Sequence, residues 1–196
     1  MLAVLEAAPQ NAPLKVAQKR TVRPLTLEAF RRKYADREDG FKYEFNNGAI
    51  EKTPSAMKVK QLHILRNLRL HFLKTRAFQN GDMFETEIEQ LTSPFQMRRP
   101  DMALVPSSKI KTGDESVSNF VVEIISPTDE FRRVNIKLRE YFQAGVQVVW
   151  HIFPEDEQVY VYTSPTKVTI CEGETICSGS PALADFEIAA AAIFVK

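Results

Sequence analysis

The sequence predicts a mixed α/β (α+β) fold, a mixed sheet flanked by helices, and three observations carry that expectation. Asn47-Gly48 sits between two strand-like runs in FKYEFNNGAIE, the strongest short-range hairpin signal. Four later segments, MFETEIEQL, DMALV, NFVVEII and VQVVWHIF, read as strands. The last two enclose FRRVNIKLREYFQAG, which has helical spacing, so the three together form a β-α-β crossover.

Taken in order, TLEAFRRKY opens the fold as a short amphipathic helix, with Thr26 as N-cap and Leu27, Phe30 and Tyr34 on one face. The hairpin follows, with Gly48 supplying the positive φ its turn needs. After the Thr53-Pro54-Ser55 break comes a long helix whose Ile64, Leu65, Leu68 and Phe72 share a face that must cover the sheet. On the crossover helix, Phe131, Val134, Leu138 and Phe142 define the expected buried stripe. Pro154-Glu155-Asp156 then turns the chain into the alternating QVYVYT, a further hairpin. The tail SPALADFEIAAAAIF is ambiguous between strand and helix.

With 196 residues, 44% of them hydrophobic and 26% charged, the chain has the balance of one soluble globular domain, expected over residues 25–196. Residues 1–24 mix Ala, Pro, Lys and Gln without periodicity and read as a flexible N-terminal arm. No apolar stretch reaches membrane-spanning length, and Glu6 and Pro9 interrupt any signal-peptide core. Cys171 and Cys177 are too few for a disulfide scaffold, so free thiols and a cytoplasmic location are expected. A net charge of +1 neither supports nor excludes a polyanionic partner.

NFVVEIIS is the informative segment. Such a β-branched run is normally buried on both faces, yet Glu123 stands in its middle, and a buried carboxylate needs a cation, a metal or a donor against it. Asp101 opens the preceding strand after Pro100, so two carboxylates can meet across neighbouring strands. Oxygen ligands of this kind suit Mg²⁺ or Mn²⁺. Lys137 lies roughly 40° from Tyr141 on the crossover helix, at the stripe border, where its stem can pack while its ammonium reaches a polar pocket. Each residue alone also has an ordinary reading, as a structural ion pair or a surface lysine; the combination carries the signal. His151, among apolar strand residues, reads as a packed and hydrogen-bonded side chain.

RRPDMALVP, FVVEIISPT and IKLREYFQAGVQVVWHIFP, in this order, resemble the Uma-two family of restriction-endonuclease-like proteins, a branch of the PD-(D/E)XK nuclease superfamily. YEFNNGAIEKTPS and SPALADFEI look like that family's opening and closing segments. The resemblance implies a restriction-endonuclease-like core with extra N-terminal and C-terminal hairpins. It implies Asp101 and Glu123 as metal ligands, Lys137 as a catalytic lysine displaced onto the helix, and Glu44 as a further acid. The superfamily's usual Glu-x-Lys lysine would fall at Ile125. Gln61 lies in line with the Ile64, Leu68 and Phe72 face, where the family often carries a histidine, while His63 points the other way.

The implied function is metal-dependent hydrolysis of nucleic-acid phosphodiester bonds, with DNA preferred although the residues do not separate it from RNA. Mg²⁺ or Mn²⁺ would polarise the phosphate, with Lys137 stabilising the developing charge. A homodimer would suit cleavage of both strands of a duplex. The rival readings are a non-catalytic nucleic-acid-binding or oligomerisation module that keeps the fold, and a regulator pairing chains through the VQVVWHIF and QVYVYT hairpin. Arg98-Arg99, Lys109 to Lys111 and Arg132-Arg133 are candidate phosphate contacts.

Overall fold

The computed structural model describes residues 25–196; the arm expected at 1–24 lies outside the described residues. The chain enters through α1 (Leu27–Phe30), where the Thr26 hydroxyl accepts from Ala29 N at 3.2 Å, and continues as a π-helical turn over Arg31–Ala35. Strands β1 (Phe41–Asn46) and β2 (Ala49–Pro54) form the expected hairpin, with Asn47 and Gly48 at φ 50° and 85°. Both central residues at positive φ match the twist of the flanking strands. Helix α2 (Val59–Phe72) and the short α3 (Arg76–Gln79) follow.

The next strands are β3 (Met83–Glu85), β4 (Gln90–Ser93), β5 (Gln96–Arg98) and β6 (Met102–Val105). After α4 (Ser107–Thr112) come β7 (Phe120–Ile124), α5 (Phe131–Ala144) and β8 (Val148–Phe153). The chain ends in β9 (Gln158–Ser164), β10 (Lys167–Cys171), β11 (Ile176–Ser178), β12 (Glu187–Ala189) and α6 (Ala190–Phe194).

These strands build a six-stranded sheet in the order β10-β9-β8-β7-β6-β3, a four-stranded sheet in the order β2-β1-β5-β4, and a β11-β12 pair. Among the described residues only β7 and β8 pair in parallel, as their crossover through α5 requires; the other pairs are antiparallel. Alternation along β7 assigns its side chains to two layers. Phe120, Val122 and Ile124 join Trp150 and Ile152 against Ile64, Leu65, Leu68 and Phe72 of α2. Val121 faces the other way, with Ala103 and Val149, beneath Leu138 and Tyr141 of α5. A third cluster, Phe30, Tyr43, Phe45 and Met97, joins α1 to the four-stranded sheet.

Several expectations need correction. MFETEIEQL is two strands in different sheets: Glu87 takes φ 55° and its N–H bonds Pro100 O, which carries the chain from one sheet to the other. Phe131 is 82% exposed at the start of α5, whereas Leu138 of the expected stripe is buried, with Phe142 packed beside it, and Tyr141 joins that face. The β8-β9 hairpin offers no free edge, since β7 and β10 flank it. The ambiguous tail is both elements in succession, β12 then α6, and α6 docks on α2 where Asn67 Nδ2 donates to Ile193 O and Val195 O. Cys171 and Cys177 are buried free thiols. No helix among the described residues is long and apolar enough to cross a membrane.

Candidate functional site

Asp101 stands one residue ahead of β6, and the antiparallel register that pairs Met102 with Val122 brings it beside Glu123 of β7. Its carboxylate is fixed at both oxygens: Oδ2 accepts Ile124 N at 2.6 Å and Oδ1 accepts Lys42 Nζ at 2.9 Å. Glu123 lies where the apolar layer under α5 ends, and is 7% exposed. Lys137 and Tyr141, one turn apart on α5, both reach its Oε1, at 3.3 and 2.6 Å.

Period-2 alternation in β1 sends Tyr43 and Phe45 into the core with Phe30 and turns Lys42 and Glu44 toward the acids. Glu44 is buried. Its Oε1 accepts Lys137 Nζ and the Arg99 N–H at 2.9 and 2.8 Å, while Oε2 meets Arg98 at 3.3 Å. The same Arg98 guanidinium reaches Glu51 at 2.8 Å and Glu140 of α5 at 2.7 Å. Four residues expected at the site, Asp101, Glu123, Lys137 and Glu44, thus line one cavity of about 530 Å³.

Gln61 and Ile125 also line this cavity. The Gln61 side chain accepts the Lys58 N–H at 2.8 Å, which closes the N-terminus of α2. Ile125 holds the position of the usual strand lysine, and Lys137 brings the ammonium in from α5 instead. At the rim, Lys60 pairs with Glu155 of the β8-β9 turn.

The electrostatics of neighbouring acids diverge. Burial pushes the Glu44 pKa up, but Lys137, Arg98 and Lys42 outweigh it and hold the group below the usual carboxylate value. For Glu123 burial wins: Lys137 opposes it, Asp101 adds repulsion, and the pKa is raised. Burial would discharge Lys137, yet Glu123 and Glu44 keep it charged and raise its pKa. Burial tends to lower the Lys42 pKa, but Asp101 and Glu123 overcome it and raise the group, while burial, then Glu123 and Glu44, lift Tyr141 well above the normal phenol range.

A divalent cation fits this donor set by charge and by free oxygen. Five carboxylates, Glu44, Glu51, Asp101, Glu123 and Glu140, contact only three enclosed cations, Lys42, Arg98 and Lys137, with Arg133 reaching Glu51 from the rim at 3.6 Å. Among the described residues nothing donates to Glu123 Oε2, and it is not sealed from the cavity. No group of three His, Cys, Asp or Glu side chains among them is spaced to hold a metal, so the ion would keep waters or substrate oxygens.

Sequence reasoning missed Lys42, Tyr141 and the Arg98 hub. Lys42 was accessible, since period 2 places it on the face of Glu44; the hub was not, because it joins residues far apart in the chain. Arg98 is 1% exposed and bound by three carboxylates, so it is no phosphate contact. Lys109 donates to the carbonyls of Ser116 and Val117. His151 is packed, as expected, but not hydrogen-bonded among the described residues.

Comparison with known proteins agrees with the architecture. The structure is similar to the crystal structure of a putative nuclease belonging to DUF820 from Anabaena variabilis, with TM-score 0.72 and 18% identity over 87% of this chain and 98% of that one. No curated protein matches the chain. The model of the family Uma2, described as putative restriction endonuclease, matches residues 27–191. With that match spanning both sheets and every residue of the cavity, the chain belongs to the Uma2 family.

Proposed function

We propose that residues 25–196 form a divalent-cation-dependent endonuclease unit that hydrolyses phosphodiester bonds of nucleic acid, DNA in preference to RNA. The observation that carries this reading is the meeting of Asp101, Glu123, Glu44 and Lys137 in one cavity, in a chain of a restriction-endonuclease family. Asp101 and Glu123 would hold Mg²⁺ or Mn²⁺, which when bound supplies Lewis-acid polarisation of the phosphate and acidifies water. Lys137, kept charged by two carboxylates, presents its ammonium to the anionic phosphate and stabilises charge that develops there. Glu44 orients Lys137, anchored itself by Arg98 and the Arg99 N–H. Tyr141 fixes the rotamer of Glu123 through Oε1 and leaves Oε2 toward the cavity.

The test is cleavage of duplex and single-stranded DNA and of RNA by the purified chain with Mg²⁺, with Mn²⁺ and with EDTA. Cation-dependent cleavage is expected, and Glu123→Gln should lower its rate by about 10²–10³ or more while the fold persists. Sedimentation under the same conditions reads whether a homodimer, suited to cutting two strands, accompanies activity.

One observation favours a second reading. Each acid of the site already has a cationic partner, Lys42 on Asp101 and Lys137 on Glu123, as in a structural ion-pair cluster of a non-catalytic binding module. Absence of any Mn²⁺-induced rise in melting temperature, together with strong destabilisation by Glu123→Gln, would decide for that module.

A further inference from the structure

β8 runs parallel to β7 in a register that sets His151 opposite Glu123, and directly opposite residues of paired strands project from the same face. Asp101, Glu123 and His151 therefore form a row across β6, β7 and β8 along the floor of one cavity. The imidazole is 2% exposed, and its edge packs on the Tyr162 ring at a centroid distance of 5.0 Å and an angle of 60°.

Neither ring nitrogen of His151 has a hydrogen-bond partner among the described residues. Among the described residues only Arg31 Nε is both sealed from solvent and without a hydrogen bond, so the unbonded His151 nitrogens are not sealed and the imidazole opens into the cavity it lines. The ring nitrogens thus keep hydrogen-bonding capacity that no described residue uses, and a partner that arrives with a ligand can take it up. Of the other polar groups of the floor, Asp101 is held by Lys42, and Glu123 is held at one oxygen by Lys137 and Tyr141.

Resting on the nuclease reading, we propose that His151 is a substrate-binding residue, whose ring N–H donates to a phosphate oxygen of the bound strand and positions that phosphate beside Lys137. Burial, and next the nearby Lys137 charge, lower the His151 pKa in the unliganded chain. A ring N–H contributes direction, which suits a site already supplied with two lysines.

The test uses the full chain and a phosphorothioate-linked deoxyoligonucleotide that resists cleavage, in Ca²⁺. Binding is followed by fluorescence anisotropy for wild type, His151→Leu and His151→Asn, with melting curves to check folding. Leu should weaken binding about tenfold, the equivalent of one lost hydrogen bond, while Asn, which retains an N–H donor, should recover most of it. A measurement free of substitution accompanies this: in ¹⁵N-labelled wild type, the oligonucleotide should shift the His151 ring signals and leave those of His63 and His71 in place. Binding that is equal in all three proteins, with His151 signals unmoved, overturns the assignment and leaves the nuclease reading standing. No binding of the oligonucleotide by wild type overturns both.

Discussion

Two charged clusters share Glu44 and behave in opposite ways. On one side Arg98 is enclosed by Glu44, Glu51 and Glu140, and Gln96 donates to Glu140 as well. On the other, Asp101 and Glu123 stand together at the end of β6 and β7, with Lys42 and Lys137 shared among three acids and one Glu123 oxygen without a donor. Both clusters use carboxylates and cations of ordinary type. The difference lies in closure: in the first every carboxylate oxygen has a donor and the cluster staples β1, β2 and β5 to α5, whereas the second leaves one Glu123 oxygen without a donor beside a cavity. Buried ion pairs on their own are weak evidence for stability or function, and here it is the incomplete one that points to a ligand.

The sharpest way to break the closed cluster is Arg98→Met, which leaves three carboxylates around an apolar side chain. A loss of about 3–5 kcal/mol is expected from urea denaturation. A loss below about 1 kcal/mol would show that the hub is not the staple described.

The two acids should also give stability opposite dependences on pH. Glu44 has a folded pKa below its ordinary value, so its contribution is present above about pH 4.5 and is lost as pH falls through the folded value. Glu123 has a raised folded pKa, so its contribution is full below about pH 4.5 and is lost as pH rises through the folded value. Without metal, Glu123→Gln should therefore be as stable as wild type or more so at neutral pH, while Glu44→Gln should be less stable there and less sensitive to acid. Melting temperatures from pH 3 to 8 check both signs.

The smallest effect concerns the open cluster's resident cation. Lys42 holds a positive charge on the oxygen of Asp101 that an incoming ion must share. Lys42→Met should tighten Mn²⁺ binding by on the order of tenfold, ~1.4 kcal/mol, in calorimetric titration. Weakened binding would mean that Lys42 orients Asp101 for the ion rather than opposing it.

Much of this comparison was legible in the residues because it rests on local rules. Asn47-Gly48 dictates its turn, the 3.6-residue stripe of α2 dictates its buried face, and a glutamate inside NFVVEIIS announces a compensated charge. What stayed hidden depends on tertiary context. Nothing in MFETEIEQL marks Glu87 as the residue that leaves one sheet for another, since a glutamate at positive φ is held there by its surroundings. Arg98, adjacent to another arginine, reads as solvated until three acids from β1, β2 and α5 enclose it. Lys42 is legible by the same rule, because the alternation that positions Glu44 puts it on the same face two residues back.

The spacing of the site's contacts along the chain bears on the order of folding. Glu123 and Lys137 are 14 residues apart, joined through one crossover, whereas Lys42 reaches Asp101 across 59 residues and Glu44 reaches Arg98 across 54. Closing the longer loops costs about 1 kcal/mol more in chain entropy, so the β7-α5 half is favoured to form first. The β1-β2 hairpin then docks onto two acids and a lysine already close together, and its arrival supplies the last counter-charges. An intermediate lacking that hairpin would carry Asp101 without Lys42, the repulsion between the acids uncompensated on that side. The divalent cation proposed for the site, if present during synthesis, would relieve it and act as a folding aid.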